Sequence, residues 1–324
     1  MTTVRFVSTG HLPGPDRTRT LVAEAHERFR AVDDGRPSDV YPALERADPN
    51  SFGIAVVGVN GATHLAGDAS VVFPIMSVAK PFVFALVCDA LGPDEAVARV
   101  GANATGLSFN DPAAIGRDPA GRTNPMVNPG AIVTTALVPG ADADERWSTT
   151  LAALGAFAGR TLVVDEEVYA SASATNHRNQ ELTRRLVGVG AIAADPDEAL
   201  DRYTRQSCVS VTTVDLATMG ATLADGGVNP VTGERVVSAV TCRHVLAAMT
   251  TAGLYETSGD WLHAVGLPGK SGIGGGIVTV SPGKGGLGTF SPPVDAAGNS
   301  VRGQLVAAHL SRTLGLDLFA SEPA

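Results

Sequence analysis

Ser77 and Lys80 stand three residues apart in the segment Ser77-Val78-Ala79-Lys80. On a helix that spacing puts a hydroxyl and an amine on one face. Serine is a poor nucleophile until a base takes its proton. A lysine between Ala79 and Pro81 gives up its charge once it is buried and can then serve as that base. A serine near a helix start also has unpaired backbone N–H groups beside it for a developing oxyanion. The chemistry indicated is nucleophilic acyl transfer. Four residues alone are weak, because Ser-x-x-Lys recurs by chance and also describes a capping serine beside a surface lysine. Support comes from Lys270-Ser271-Gly272, just before a glycine-rich strand. It brings a second cation, with small residues that let a backbone run close.

The pattern of apolar residues outlines the elements that must hold these groups. A helix is expected from about Thr18 to Val32, and a strand over Phe52–Val59. Asn60-Gly61 reads as a tight two-residue turn into a second strand, Ala62–Ala66. A helix carrying Ser77 and Lys80 begins near Met76 and ends before Gly92. Further helices are expected over Thr149–Ala158, Gln180–Val187, Val214–Asp225 and Cys242–Thr250. Two short strands, Ile277–Ser281 and Leu287–Ser291, precede a last helix. Strands at both ends with helices between them give an α+β, two-lobed layout. An antiparallel sheet from both chain ends is flanked by helices and carries an inserted helical lobe. The sheet lobe takes about 1–70 plus 255–324, and the helical lobe about 71–254, within a single catalytic domain.

Composition limits the alternatives. Of 324 residues 44% are hydrophobic, enough for a sizeable core, while the formal net charge is −9 with no Lys/Arg tract. That argues against a nucleic-acid partner. No apolar run reaches membrane length, and the N-terminus lacks a secretory pattern, so a cytoplasmic protein is expected. Cys88, Cys208 and Cys242 have no metal-ligand spacing. Neither a cofactor nor a metal is expected.

Class A beta-lactamases and penicillin-binding proteins pair a Ser-x-x-Lys helix with a Lys-Thr-Gly-like strand. More closely, the sequence resembles the serine-dependent glutaminases from about Ser38 to Ser311. The resemblance rests on "SVAKPF", "TGLSFN", "NPMVNPGAI", Arg178-Asn179, "LADGGVNPVTGERV", "AGLYETSGDW", "VGLPGKSGIGGGI" and "FSPPVDAAGNSVRG". It implies a beta-lactamase-like fold and hydrolysis of L-glutamine to L-glutamate and ammonia through a Ser77 acyl-enzyme. It also implies that Lys80 is the general base and that Asn128 and Asn179 contact substrate. Tyr203 and Tyr255 match two pocket tyrosines, either of which could relay a proton with Lys80. The backbone of Ser77 and Ile273 would form the oxyanion hole, with Lys270 and Ser271 on the opposite wall. Family members commonly form dimers or tetramers, so a homo-oligomer is possible.

Two positions depart from the family pattern. Ala172 stands where the family has a substrate-binding glutamate, seven residues before Asn179. Aligned on Pro42, Val40 takes the place of a pocket tyrosine, and Tyr41 that of its neighbouring isoleucine. The expectation is therefore serine amidase chemistry on glutamine, with Ser173 or a shifted Glu167 in the glutamate's role. The alternative is the same chemistry on a primary amide lacking a free α-ammonium. A third reading is an inactive small-molecule-binding homologue. The exchange Ser207-Cys208 raises Cys208 as an alternative nucleophile.

Overall fold

The computed structural model describes residues 10–193 and 195–320; residues 1–9 and 321–324 of the expected sheet lobe and residue 194 of the expected helical lobe lie outside them. The strands are β1 (Gly53–Gly58), β2 (Thr63–Gly67), β3 (Phe73–Pro74), β4 (Ser210–Val211), β5 (Gly269–Ser271), β6 (Gly276–Ser281) and β7 (Gly285–Phe290). Five form one antiparallel sheet in the order β2-β1-β7-β6-β5, and β3 pairs with β4. The junction β1–β7 joins the two ends of the chain, with Val56 opposite Leu287. This is the α+β arrangement expected from the sequence.

The early helices are α1 (Pro15–Phe29), α2 (Pro42–Glu45), α3 (Lys80–Leu91), α4 (Pro93–Val100), α5 (Asn128–Ala136) and α6 (Ala143–Ala158). There follow α7 (Glu166–Ala174), α8 (His177–Gly188), α9 (Pro196–Ser207), α10 (Thr213–Ala224), α11 (Ala239–Ala252), α12 (Ser258–Val265) and α13 (Val301–Thr313).

Strand β1 is buried on both faces, which is why it reads as an unbroken apolar run. Its alternate residues serve different layers. Ile54 and Val56 join α1 and α13 in one cluster with Val22, Ala25, Val306 and Leu310. Ala55 and Val57 face Ala217 and Ala221 of α10. Glycines let α10 lie flat on the sheet. A Cβ on Gly286 would stand 2.2 Å from the Ala217 carbonyl oxygen, and one on Gly288 2.3 Å from that of Thr213. Much of the late glycine content is therefore helix-on-sheet contact. The N-terminus of α10 is closed by a capping box between Thr212 and Asp215. Arg160 then holds Asp215 with two 2.7 Å hydrogen bonds.

Two local expectations need correction. The Asn60-Gly61 turn is not a two-residue hairpin. Only Gly61 adopts positive φ (79°), and the loop closes through Gly58 N–H to Ala62 O and Gly61 N–H to Gly58 O. The second strand consequently starts at Thr63. Helices α2, α4, α5, α7, α9 and α12 were absent from the sequence expectation. Two of them carry readable start signals: Asp165 caps α7, and Asp195 followed by Pro196 caps α9.

Candidate active site

Ser77 sits in a 3₁₀ turn, Met76–Ala79, that runs straight into α3, so Lys80 is that helix's first residue. The tightened turn keeps both side chains on one side, and Lys80 Nζ lies 3.0 Å from Ser77 Oγ. The entry is pinned by β3 pairing with β4 and by Ile75 N–H donating to Val209 O. The loop after β5 presses against this turn. A Cβ on Gly272 would stand 3.0 Å from Ile75 O, 3.1 Å from Met76 Cβ and 3.2 Å from Ser77 N.

Among the described residues, the non-glycine positions with positive φ are Met76 (49°) and Tyr255 (56°). One precedes Ser77 directly, and the other neighbours the Ser77 side chain. Left-handed backbone at such residues costs about 1–3 kcal/mol each and persists only where the surroundings impose it.

The electrostatics are set by burial. Lys80 is 2% exposed, and its Nζ donates to Asn128 Oδ1 at 2.6 Å. Among the described residues no salt bridge holds it, and burial pulls it from the ordinary lysine value of 10.5 to about 7. Lys270 is fully buried, donates to the carbonyls of Gly253 (2.8 Å) and Ser271 (2.7 Å), and lies 4.2 Å from the Tyr255 ring centroid. Burial, and then the charge of Lys80, push it well below the lysine range. Ser271 turns its hydroxyl away from Ser77 to Asn299 Oδ1.

The two tyrosines differ. Tyr255 donates to Ser271 O at 3.2 Å and neighbours Ser77. Burial raises it to about 12, so it remains a phenol. Tyr203 presents its ring to Lys80, with Nζ 5.9 Å from the centroid, and burial raises it well above the usual phenol value.

A pocket opens above Ser77. Its walls include Tyr41, Phe109, Asn128, Asn179, Tyr203 and Ile273. Val40 also reaches its rim but is 48% exposed. Tyr41 instead turns inward and lines the pocket beside Asn179. The extended backbone at Tyr41 (φ −126°, ψ 131°) sends successive side chains to opposite sides. A tyrosine thus enters the pocket from the position after Val40.

Ala172 is buried with Leu44, Met76, Val168, Cys208 and Ile273 in an apolar cluster and does not line the pocket. Neither expected substitute for the glutamate reaches the site. Glu167 pairs with Arg46 on the surface, and Ser173 lines a separate cleft of about 530 Å³ around α8 and α9. Cys208 is fully buried, and burial followed by Asp165 and Glu166 raises its thiol to about 12, which removes it as a nucleophile.

The residues missed from the sequence are Asn176 and Thr204, which extend the polar floor beyond Asn179. Asn179 Nδ2 donates to Asn176 Oδ1 at 2.6 Å, and Asn176 Nδ2 to Thr204 Oγ1 at 2.8 Å. The three-residue step from Asn176 to Asn179 was the available signal. Among the described residues no cluster of three or more His, Cys, Asp or Glu is placed to hold a metal, and no helix is long and apolar enough to cross a membrane.

Comparison with known proteins agrees with this geometry. The family model described as Glutaminase matches residues 35–319. The chain is 60% identical to glutaminase 2 of Yersinia pestis over 99% of its own length and 94% of that protein. It is 45% identical to a glutaminase of Mycobacterium ulcerans over 94% of this chain and 95% of that one. The solved structure of the probable glutaminase ybaS superposes with a TM-score of 0.92 at 39% identity, covering 94% of this chain and 99% of that one. Mglu in its native form gives 0.89 at 36% identity, over 97% of this chain and 75% of that one. The beta-lactamase-like fold and the serine amidohydrolase chemistry follow, and the chain belongs to the glutaminase family.

Proposed function

We propose that the protein hydrolyses L-glutamine to L-glutamate and ammonia, with Ser77 as nucleophile and Lys80 as general base. The observation that carries this reading is a lysine held near neutrality 3.0 Å from the serine hydroxyl. A base with pKa close to the working pH combines availability with proton affinity. Lys80 Nζ takes the Ser77 proton as Oγ attacks the carboxamide carbon. The backbone N–H groups of Ser77 and Ile273 receive the oxyanion, with Gly272 allowing the two segments to approach. The C–N bond breaks as the Lys80 ammonium returns its proton to the leaving nitrogen, releasing ammonia. Water then attacks the acyl-enzyme by the same proton path and frees Ser77. The Tyr255 phenol, beside Ser77, is better placed to assist these transfers than Tyr203, whose ring faces the amine.

A second reading follows from the pocket lining, which among the described residues holds Arg178 but no Asp or Glu. An α-ammonium would find only neutral acceptors there, which favours a primary amide whose amine is missing or masked. Ammonia release from L-glutamine, measured beside N-acetyl-L-glutamine with Ser77→Ala as blank, separates the two. Efficient Ser77-dependent glutamine turnover supports the first reading. Turnover of the masked amide alone supports the second. Undiminished activity in Ser77→Ala overturns both.

A further inference from the structure

A single chain of hydrogen bonds leaves Lys80 and crosses three asparagines. Lys80 Nζ donates to Asn128 Oδ1 (2.6 Å), and Asn128 Nδ2 to Asn179 Oδ1 (2.9 Å). Asn179 Nδ2 donates to Asn176 Oδ1 (2.6 Å), and Asn176 Nδ2 to Thr204 Oγ1 (2.8 Å). Thr204 Oγ1 ends the chain on the backbone carbonyl of Leu200 at 2.9 Å. Every member from Asn128 to Thr204 is at most 7% exposed. Asn176 stands at the N-cap of α8, yet its side chain makes no capping bond. Its amide is committed to this chain instead of the helix end.

All the bonds run one way, and that direction has a chemical consequence. A neutral lysine amine has two N–H donors and one lone pair. With Asn128 offering its oxygen, one N–H is used and the lone pair is free to accept the Ser77 proton. Reversing the chain would turn Thr204's proton from Leu200 to Asn176 and flip each amide. An amide N–H would then face Lys80 and compete with Ser77 for the lone pair.

We propose that Thr204 and Asn176 are positioning residues that fix the direction of this chain, so that Asn128 presents its oxygen to Lys80 and leaves the amine's lone pair to Ser77. The inference rests on the assignment of Lys80 as base. Thr204, on α9, acts four hydrogen bonds from the amine and sets its hydrogen-bonding role without touching it. The other groups around the amine are the Tyr203 ring, Lys270, and Ser77 with Tyr255 beyond it. None of these belongs to the chain, so each stays in place when the chain is cut.

The test uses Thr204→Val, which keeps the shape and removes the hydroxyl, Thr204→Ser, which restores it, and Asn176→Ala, which cuts the next link. Ammonia release is followed against pH with the amide that the wild-type protein turns over, L-glutamine or N-acetyl-L-glutamine. Thr204→Val and Asn176→Ala lower kcat roughly ten-fold, part of the 10²–10⁴ that a general base contributes. The acid limb of kcat/KM moves to lower pH, because the ammonium form loses its fixed acceptor. Thr204→Ser stays close to wild type. A merely structural role would reduce the active fraction and leave the limb where it was, and that result overturns the proposal. So does a Thr204→Ser variant as impaired as Thr204→Val. If Thr204→Val does not fold, Asn176→Ala, which leaves α9 untouched, carries the test. Lys80→Ala separates the two levels. Activity retained there refutes the base assignment itself. An inactive Lys80→Ala beside wild-type behaviour in Thr204→Val and Asn176→Ala refutes only the chain.

Discussion

Replacing Asn128 by Asp changes one atom of the side chain and places a carboxylate where the amide oxygen now lies 2.6 Å from Lys80 Nζ. Lys80 has burial against it and, among the described residues, no carboxylate partner, and burial lowers it to about 7. An opposite charge within about 4–6 Å shifts a titrating group by roughly 1–3 pKa units, or about 1.4–4 kcal/mol. The sign is upward, since the carboxylate favours the ammonium. Asn128→Asp therefore moves the acid limb of kcat/KM from about 7 to roughly 8–10. At neutral pH the neutral amine falls from about half of the molecules to between roughly one in ten and one in a thousand. Activity is recovered in part on the alkaline side. The assay is ammonia release under kcat/KM conditions, which reports the free enzyme's ionisations and not those of the bound complex. Asn128→Ala is the matched control. It removes the acceptor without adding charge and moves the limb the other way. An unmoved limb in both variants refutes Lys80 as the titrating base, whatever happens to the overall rate.

Lys80→Met is inactive and more heat-stable, and the gain depends on pH. The folded-state value is depressed from 10.5 to about 7, so the burial penalty is fully present below about 7 and disappears as pH rises through 10.5. That gap corresponds to a ceiling of roughly 5 kcal/mol, less about 1 kcal/mol for each hydrogen bond lost. Thermal midpoints rise most on the acid side, and a gain that grows with pH contradicts the argument. Gly272→Ala pushes a methyl into Ile75 O, Met76 Cβ and Ser77 N at 3.0–3.2 Å. It displaces the Ser77 N–H and lowers kcat by roughly 10²-fold, the loss expected for one oxyanion donor. Unchanged kcat removes this turn from the oxyanion site. Tyr255→Phe deletes the hydroxyl beside Ser77 and costs kcat roughly 10². Tyr203→Phe keeps the ring facing Lys80 and costs only a few-fold. The reverse order in steady-state assays would give the proton-relay role to Tyr203.

Much of this was written in the sequence because the chemistry sits on strong local patterns. Ser77 and Lys80 were legible from helical spacing, β1 from its apolar run, and the late strands from their glycines. Several features escaped for physical reasons. Asn176 looks like a helix cap by residue type, and only the tertiary partner Thr204 from α9 shows that its amide is used elsewhere. The choice between Val40 and Tyr41 turns on side-chain direction along one extended residue, which alignment on Pro42 cannot resolve. Glu167 had the right charge and lies on the same helix as Ala172, but its first-turn place on α7 sends it to Arg46 at the surface. Gly-rich β7 signalled close packing without saying which helix lay against it.

The site is assembled from pieces that a stable protein would avoid. Among the described residues, two lysines are buried without a carboxylate, and both non-glycine residues in left-handed backbone lie beside the nucleophile. Each is unfavourable alone, and each has a consequence for the reaction. An unpaired buried lysine is neutral enough to accept a proton. A strained turn at Met76 brings Ser77 onto the same side as Lys80 while its backbone meets Gly272. A carboxylate placed to neutralise Lys80 would stabilise the fold and abolish the base. Amides can satisfy the amine's hydrogen bonds without adding charge, and this is what the asparagine chain supplies.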